Sequence, residues 1–180
     1  MDFIKTALTD VYIIKPSIFK DDRGSFTEVF NKREMEKYLS KEINFVQENQ
    51  STSKKNVFRG LHYQSNPFAQ DKLVRVLSGK IIDIVVDLRK SSPTFKKWIK
   101  ISLHSSSSEL LWVPKGFAHG FHSLEDDTTI SYHVTNFYSK EHENTILYND
   151  QELAINWEGN FILSHKDLDG YKLSESILFD

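Results

Sequence analysis

Hydrophobic and polar residues alternate in short runs over most of the chain. Six such runs are separated by turn-forming stretches such as Ser78-Gly79 and Pro114-Lys115-Gly116. Because successive side chains of a strand point to opposite faces, this pattern is typical of strands with one buried face. Their number and spacing favour an antiparallel β-sandwich or barrel, and we expect a jelly roll. The runs are 73–77, 80–88, 98–103, 109–113, 116–124 and 128–137.

One segment has the spacing of a helix instead. Residues 31–42 place Met35, Tyr38 and Leu39 at helical intervals with charged residues elsewhere. The serine tract 105–108 predicts a loop. A chain of 180 residues without repeats or an obvious linker predicts one domain spanning 1–180. The expected fold class is therefore all-β with minor helices.

Composition narrows the function classes. The chain is 39% hydrophobic and 13% aromatic, which is enough for a packed core. Its 23 basic and 25 acidic residues give a net charge of −2, so we expect neither nucleic acid nor a membrane as partner. The absence of cysteine excludes disulfides, thiolate zinc sites and cysteine nucleophiles. Without an apolar signal core near the N-terminus, a cytoplasmic location is expected.

The segment FRGLHYQ, 58–64, concentrates polar chemistry on one face of a predicted strand. Leu61 and Tyr63 point one way, so His62 points the other way together with Gln64. Histidine titrates near neutrality and is a candidate general base. A lone strand histidine is more often structural. Arg59 and Lys72, expected to reach a substrate anion from neighbouring strands, favour a functional site.

A second polar position lies in the segment 112–124. Phe117, His119 and Phe121 share one face of the predicted strand, opposite the face of His122. The phenylalanines are most simply core residues. A buried imidazole needs a polar partner, and we expect His119 to face His62 across a narrow barrel.

A metal site is disfavoured by the spacing of the histidines. Jelly-roll enzymes often bind iron, manganese or zinc through two histidines on one strand face, with a third histidine and a carboxylate. The sequence has no His-x-His, and Gln64 occupies the position two after His62. His119 and His122 fall on opposite faces of their strand.

Seven segments, in order along nearly the whole chain, resemble the dTDP-4-dehydrorhamnose 3,5-epimerase family. Each is weak alone, but the ordered set is specific. The segments are DDRGSFTEVF (21–30), FVQENQSTS (45–53), FRGLHYQ (58–64), QDKLVRVLSGKIIDIVVDLRKSSPTF (70–95), VPKGFAHGF (113–121), SYHVTNFYSKEHE (131–143) and INW (155–157).

The resemblance implies a cupin-type jelly roll that forms a homodimer by exchanging N-terminal strands. It implies action on a nucleotide-linked 4-keto-6-deoxy sugar, in lipopolysaccharide or capsule biosynthesis, with no metal or organic cofactor. His62 matches the general base, Asp167 its carboxylate partner, Lys72 the cation near the C4 oxygen and Tyr132 the general acid. The positions matching substrate-binding residues are Arg23, Phe26, Glu28, Gln47, Asn49, Arg59, Lys72, His119 and Tyr138.

These residue types suit the chemistry that the resemblance implies. A hydrogen next to a ketone is acidic because the carbanion delocalises onto oxygen. Inversion therefore needs a base at carbon, a cation or donor at oxygen, and an acid on the opposite face of the ring. His62, Lys72 and Tyr132 supply one of each.

Departures from the family pattern leave alternatives open. Tyr148 and Gln151 replace the usual tryptophan and proline, and His133 follows the acid tyrosine where lysine is common. Asp169 offers His62 a second possible partner. Two alternatives concern the reaction: the substrate is a GDP-linked 4-keto heptose, or only one carbon is inverted. Two others concern the class of protein: a metal-dependent jelly-roll oxygenase or isomerase, or a non-catalytic sugar-binding relative.

Overall fold

The computed structural model describes residues 1–180 and consists mainly of β-strands. The strands are β1 (Asp2–Lys5), β2 (Tyr12–Lys15), β3 (Ile18–Asp21), β4 (Gly24–Thr27), β5 (Gln47–Ser53), β6 (Phe58–Gln64), β7 (Lys72–Ser78), β8 (Lys80–Asp87), β9 (Trp98–His104), β10 (Leu110–Val113), β11 (Phe117–Ser123), β12 (Thr128–Val134) and β13 (Glu143–Thr145). The helices are α1 (Lys32–Leu39) and α2 (His165–Leu168).

Two antiparallel sheets face each other as a sandwich. The six-stranded sheet has the order β1-β2-β10-β7-β12-β5, and the five-stranded sheet has the order β13-β6-β11-β8-β9. Neighbours in each sheet are mostly distant in the chain, which is the connectivity of a jelly roll. The predicted all-β jelly-roll class is confirmed.

Strands β3 and β4 form a separate two-stranded hairpin. They pair only with each other, from Ile18 opposite Thr27 to Asp21 opposite Gly24. Phe19 and Phe26 lie side by side on it and are 62% and 69% exposed. Apolar rings at this exposure are costly in water, so the hairpin presents an uncovered apolar surface.

The core has three parts. Between the sheets, residues such as Val74 and Val85 pack in the central cluster. On the outer side of the five-stranded sheet, the C-terminal segment packs Leu153 and Leu173 onto β6 and β8. On the outer side of the six-stranded sheet, Met35 of α1 packs against Trp112. Both sheets are therefore covered on both faces over much of their area.

Helix α1 is shorter than the predicted 31–42. Asn31 caps its start by accepting a hydrogen bond from the Glu34 N–H at 3.2 Å. Ser40, with φ of 52°, adopts the left-handed conformation that ends a helix. Met35 is fully buried as expected, whereas Tyr38 is 41% exposed and stacks on Phe3.

All six predicted runs are strands, with bounds shifted by up to three residues. The strand β5 was not predicted, because its sequence QENQSTS has no apolar alternation. The serine tract predicted as a loop forms a short 3-10 turn over Ser105–Ser107. None of the helices has the length and apolar character needed to cross a bilayer.

Candidate active site

A polar cavity of about 500 Å³ opens between the two sheets. Strands β6 and β11 line it from one sheet and β5, β7 and β12 from the other, while α2 and β13 close one side. Only 5 of its 19 lining residues are hydrophobic, so the cavity suits a polar ligand. Nine of the residues proposed from sequence line it: Gln47, Asn49, Arg59, His62, Lys72, His119, Tyr132, Tyr138 and Asp167.

His62 and Asp167 form a hydrogen-bonded pair at the cavity wall. Nε2 of His62 lies 2.6 Å from Oδ1 of Asp167, which leaves Nδ1 of the ring to accept a proton. Burial lowers the pKa of His62, although the bond to Asp167 opposes the shift. The imidazole is therefore neutral at pH 7, which is the form that a general base requires.

The position of Asp167 is fixed by α2. Ser164 caps this short helix and donates its hydroxyl proton to Oδ2 of Asp167 at 2.7 Å. Burial would raise the pKa of Asp167, but the bonds from His62 and Ser164 outweigh it and hold the pKa below its usual value. Asp169 is exposed at the end of the same helix. Of the two possible partners, Asp167 is the one that contacts His62.

Gly60 allows β6 and β11 to approach closely beside this pair. Its φ is +132°, and a Cβ there would lie 2.6 Å from Cα of Gly120. No other residue tolerates both the angle and the contact. The Gly60 N–H also points to Oδ1 of Asp167 at 3.4 Å. The glycine of FRGLHYQ thus brings the backbone of β6 against the Asp167 carboxylate.

Lys72 enters the cavity from the opposite sheet. Its Nζ donates to the backbone carbonyl of His62 at 3.3 Å. Burial lowers the pKa of Lys72 to about 8. We expected Lys72 and Arg59 on neighbouring strands, and this was wrong: β7 and β6 belong to different sheets, so the two cations reach the cavity from opposite sides.

Tyr132 lies on β12, also in the sheet opposite His62. It packs against the central core and lines the cavity, with Ile130 and Val134 buried on the same face. Burial, and then the negative charge of Glu143, raises the pKa of Tyr132. Its phenol therefore stays protonated at neutral pH and can donate a proton from the side away from His62.

His119 is a direct neighbour of His62 in the same sheet. The two residues are register partners on β11 and β6, so the expectation that they face each other across the barrel was wrong. The two polar strands pair directly, since Gly60 and Gly120 let their backbones meet. His119 shares its face with the core residues Phe117 and Phe121, as predicted, and bonds to Asp83 at 2.9 Å.

Three charged or polar side chains meet at the mouth of the cavity. Tyr138 donates its hydroxyl proton to Glu143 at 3.0 Å, and Glu143 also pairs with Lys166. Burial opposes ionisation of Glu143, but the bond from Lys166 prevails and lowers its pKa. Sequence reasoning did not single out Glu143 or Lys166. The signals were present, since Glu143 ends the SYHVTNFYSKEHE motif and Lys166 precedes Asp167.

Strand β5 supplies amide and hydroxyl groups to the cavity. Gln47 donates to Asn49 at 2.7 Å and accepts from the Tyr138 N–H at 3.1 Å. Ser53 accepts from Nε of Arg59 at 3.1 Å, which orients the guanidinium. The inward face of this polar strand therefore serves the cavity instead of the core.

Arg23, Phe26 and Glu28 do not reach this cavity within one chain. Arg23 and Phe26 lie on the β3–β4 hairpin, where Arg23 pairs with Asp21 at 2.6 Å. Glu28 follows the hairpin and accepts from Asn31 at 3.1 Å. These three predicted binding residues are separated from the other nine. No cluster of three or more potential metal-ligating side chains occurs in the structure.

An imidazole on one wall of the cavity, with a phenol and a buried amine on the wall opposite, are groups that can move a proton at a carbon next to a carbonyl. With the jelly roll, they define the class of sugar epimerases, which are isomerases. The sequence model of the family described as dTDP-4-dehydrorhamnose 3,5-epimerase matches residues 5–175. The chain belongs to this family, and the resemblance seen in the sequence is confirmed.

Known members of the family are similar to this chain over nearly its full length. The dTDP-4-dehydrorhamnose 3,5-epimerase of Shigella flexneri is 46% identical over 180 residues, covering 99% of each chain. The crystal structure of the Bacillus anthracis enzyme with TDP and pyrophosphate bound is 46% identical, covers 95% of this chain and 98% of that one, and has a TM-score of 0.90. The Legionella pneumophila enzyme in complex with dTDP-4-keto-L-rhamnose is 41% identical, with 97% and 93% coverage and a TM-score of 0.91.

Proposed function

We infer that this chain inverts both C3 and C5 of a dTDP-linked 4-keto-6-deoxy sugar. The observation that carries the proposal is the His62–Asp167 pair on one wall of the cavity, with Tyr132 and Lys72 on the wall opposite. The relatives bound to TDP and to dTDP-4-keto-L-rhamnose support the choice of nucleotide and sugar.

The chemistry begins at Nδ1 of His62. It takes the proton next to the ketone, and the Asp167 carboxylate stabilises the imidazolium that forms. Lys72 stabilises the negative charge on the C4 oxygen of the enolate, a contribution of about 10²- to 10³-fold for one such donor. Tyr132 then delivers a proton to the other face of the ring, and acid–base catalysis contributes about 10²- to 10⁴-fold.

Binding uses the remaining residues of the cavity. Arg59 and Lys166 are cations on its lining and suit the two phosphates of the nucleotide. Gln47, Asn49 and His119 offer hydrogen bonds to sugar hydroxyls. Tyr138 is 53% exposed at the mouth, where its ring can stack on a base.

The test is deuterium incorporation in heavy water. Pure protein is incubated with dTDP-4-keto-6-deoxyglucose, and in parallel with a GDP-linked 4-keto sugar. Two deuteriums, at C3 and C5 of the dTDP sugar alone, are expected. Label at one carbon contradicts double inversion, and preference for the GDP sugar contradicts the nucleotide. His62→Asn is the matched control: it should bind dTDP within a few-fold of wild type and incorporate no label.

The active unit that we propose is a homodimer in which the β3–β4 hairpin covers the partner's cavity. The hairpin pairs only with itself and exposes Phe19 and Phe26, while Arg23, Phe26 and Glu28 lie outside the cavity that the resemblance assigns them to. A second copy of the chain accounts for all of these features, because it covers the rings and brings the three residues to a site.

Mixed dimers test this arrangement. A His62→Asn chain is expected to be inactive, and an Arg23→Ala/Phe26→Ala chain is expected to be weakly active. Mixed and re-equilibrated, they form hybrids with one site that has both an intact His62 and an intact partner hairpin. Random pairing should restore about a quarter of wild-type activity. No recovery, with light scattering showing a monomer, contradicts the dimer.

A further inference from the structure

Gln64 ends the segment FRGLHYQ, and the mechanism above gives it no role. It is the last residue of β6, is 6% exposed and lines the cavity two positions after His62. Its Nε2 donates to the carbonyls of Phe68 at 2.7 Å and Phe137 at 3.1 Å, and its Oε1 accepts from the Ser139 N–H at 2.6 Å. Both amide hydrogens are therefore used inside the protein, which leaves no donor for a ligand.

Two of these three bonds go to the residues on either side of Tyr138. The Phe137 carbonyl precedes Tyr138 and the Ser139 N–H follows it. The amide of Gln64 thus holds the backbone of Tyr138 from both sides. Gln64 itself belongs to β6, which pairs with β13 on one side and β11 on the other. A fixed strand therefore anchors the segment that carries the exposed ring.

Residues 137–139 have no sheet of their own to hold them. They follow the end of β12, and their N–H groups donate to side-chain amide oxygens instead of backbone carbonyls. The bond from Tyr138 to Gln47 is open to solvent, whereas those to Gln64 are partly buried. The donor–acceptor pairs are Phe137 to Asn136, Tyr138 to Gln47 and Ser139 to Gln64. Gln64 is the buried member of these three amides and the one that bonds to the segment twice.

We propose that Gln64 is a positioning residue for nucleotide binding, which holds the Tyr138 ring at the cavity mouth where it stacks on the base. The inference rests on the proposed function, in which Tyr138 contacts the base of dTDP. A ring that is already in place binds the base without the cost of ordering the loop. Stacking of one base on an aromatic side chain contributes about 5- to 150-fold to affinity, so its loss is measurable.

Gln64→Met removes the three hydrogen bonds without changing the charge. Methionine is unbranched and similar to glutamine in length. We expect it to weaken dTDP binding about 5- to 50-fold, within the contribution of a stacked ring. Pyrophosphate has no base and should bind as it does to wild type. Isothermal titration calorimetry measures both ligands. Unchanged dTDP affinity, or an equal loss for dTDP and pyrophosphate, overturns the proposal.

Gln64→Glu keeps the proposal testable if Gln64→Met does not fold. The carboxylate has the shape of the amide and can accept from Ser139, but it has no hydrogen to donate to the Phe137 carbonyl. Its added charge acts on the phosphates of dTDP and on pyrophosphate alike. The readout is therefore the ratio of the two affinities, which should move against dTDP. An unchanged ratio contradicts the proposal.

A double-mutant cycle with Tyr138→Ala shows whether Gln64 acts through the ring. Once the ring is gone, the loss of Gln64 has little left to affect, so the double variant should bind dTDP as Tyr138→Ala does. Losses that multiply mean another route and overturn the proposal. In turnover, KM of Gln64→Met should rise while kcat stays as in wild type. A loss confined to kcat instead places Gln64 in the proton transfer beside His62, and it also overturns the proposal.

Amide hydrogen exchange of the free protein tests the tether without any ligand. The Ser139 N–H, which Gln64 accepts at 2.6 Å, should exchange faster in Gln64→Met than in wild type when followed by NMR. Unchanged exchange overturns the proposal whatever the enzyme does. If the exchange rises but wild type binds no dTDP, the proposed function fails and the tether stands.

Asn144→Leu is the matched control. Asn144 lies on β13, next to β6, and its side-chain amide donates to the His142 carbonyl at 2.7 Å. It does not line the cavity, and this bond lies outside residues 137–139. The control should keep the dTDP affinity and the Ser139 exchange rate of wild type. An equal effect in Asn144→Leu means that any amide lost at this end of the sheet loosens the loop, and it overturns the specific role of Gln64.

Discussion

Replacing Asp167 with asparagine tests the centre of the proposed mechanism. The side chain keeps its size, and it is 2% exposed in a position fixed by Ser164 and Gly60. What changes is the charge 2.6 Å from Nε2 of His62. The carboxylate stabilises the imidazolium that forms when His62 takes the proton, whereas an amide does not.

The expected loss follows from that one contact. A hydrogen bond to a charged group is worth about 1.5–3 kcal/mol, and about 1.4 kcal/mol is a factor of ten in rate. Losing it as the imidazolium forms should therefore slow proton abstraction about 10- to 150-fold. An amide that donates to Nε2 also favours the wrong tautomer, which leaves a proton on Nδ1 and slows abstraction further.

The pKa of His62 decides in which direction the pH profile of Asp167→Asn should move. Burial lowers the pKa of His62, and the Asp167 bond partly restores it. In Asp167→Asn that opposition is lost, so the pKa of His62 falls and the acid limb of kcat/KM moves to lower pH. Raising the pH does not recover the rate of Asp167→Asn. Its His62 is already in the neutral form, and it is a weaker base than His62 in wild type.

The assay is deuterium incorporation at C3 and C5, measured from pH 5 to 9 by mass spectrometry. Asp169→Asn is the control, since Asp169 is exposed on the same short helix and does not bond to His62. It should behave as wild type. A near wild-type rate in Asp167→Asn, or an acid limb at higher pH, refutes the assignment of the pair.

Three further outcomes are expected. Tyr132→Phe should exchange solvent deuterium with retained configuration faster than it forms inverted product, because proton abstraction survives without the acid. Mass spectrometry and proton NMR on the same samples measure exchange and configuration. A parallel loss of exchange and inversion contradicts this prediction. Exhaustive chelation should leave turnover unchanged, because Lys72 stabilises the enolate, and activity restored by a divalent ion speaks against this. Asp87→Ala should lower the free energy of unfolding in urea by about 3–5 kcal/mol with kcat retained, because Asp87 is fully buried and paired with Arg89. The hydrogen bonds that Asp87 accepts outweigh burial and lower its pKa. In wild type the stabilisation is therefore present above about pH 4 and is lost as the pH falls through the folded pKa. An unchanged urea midpoint in Asp87→Ala contradicts the prediction.

The alternation of apolar and polar residues was sufficient to predict the strands that pack in the core. Strands β7, β8 and β11 bury one or both faces, and their sequences show it. Strand β5 does not, because its inward residues line the cavity and its outward residues are exposed. Strand β5 forms by pairing with β12 along its whole length. Its own sequence has no alternation of apolar residues from which a strand could be predicted.

The site was predictable only in part from local sequence. The polar face of FRGLHYQ indicated His62, since strand geometry fixes where that side chain points. Its partner Asp167 is 105 residues away, and no spacing rule connects them. The Asp167 assignment came from the family resemblance alone. The Glu143–Lys166 pair and the Asp83–His119 contact depend on tertiary packing and were not predicted.

The groups proposed for proton transfer and part of the proposed binding set stand on different elements of the molecule. His62, Lys72 and Tyr132 stand on strands in the interior of both sheets, flanked by neighbours on each side. Rigid elements of this kind hold reacting groups at fixed separations, as proton transfer requires. The predicted residues Arg23 and Phe26 instead stand on a hairpin that pairs only with itself. Changes of nucleotide or sugar can therefore arise through the hairpin and the exposed mouth, while the proton-transfer groups and the core that supports them stay unchanged.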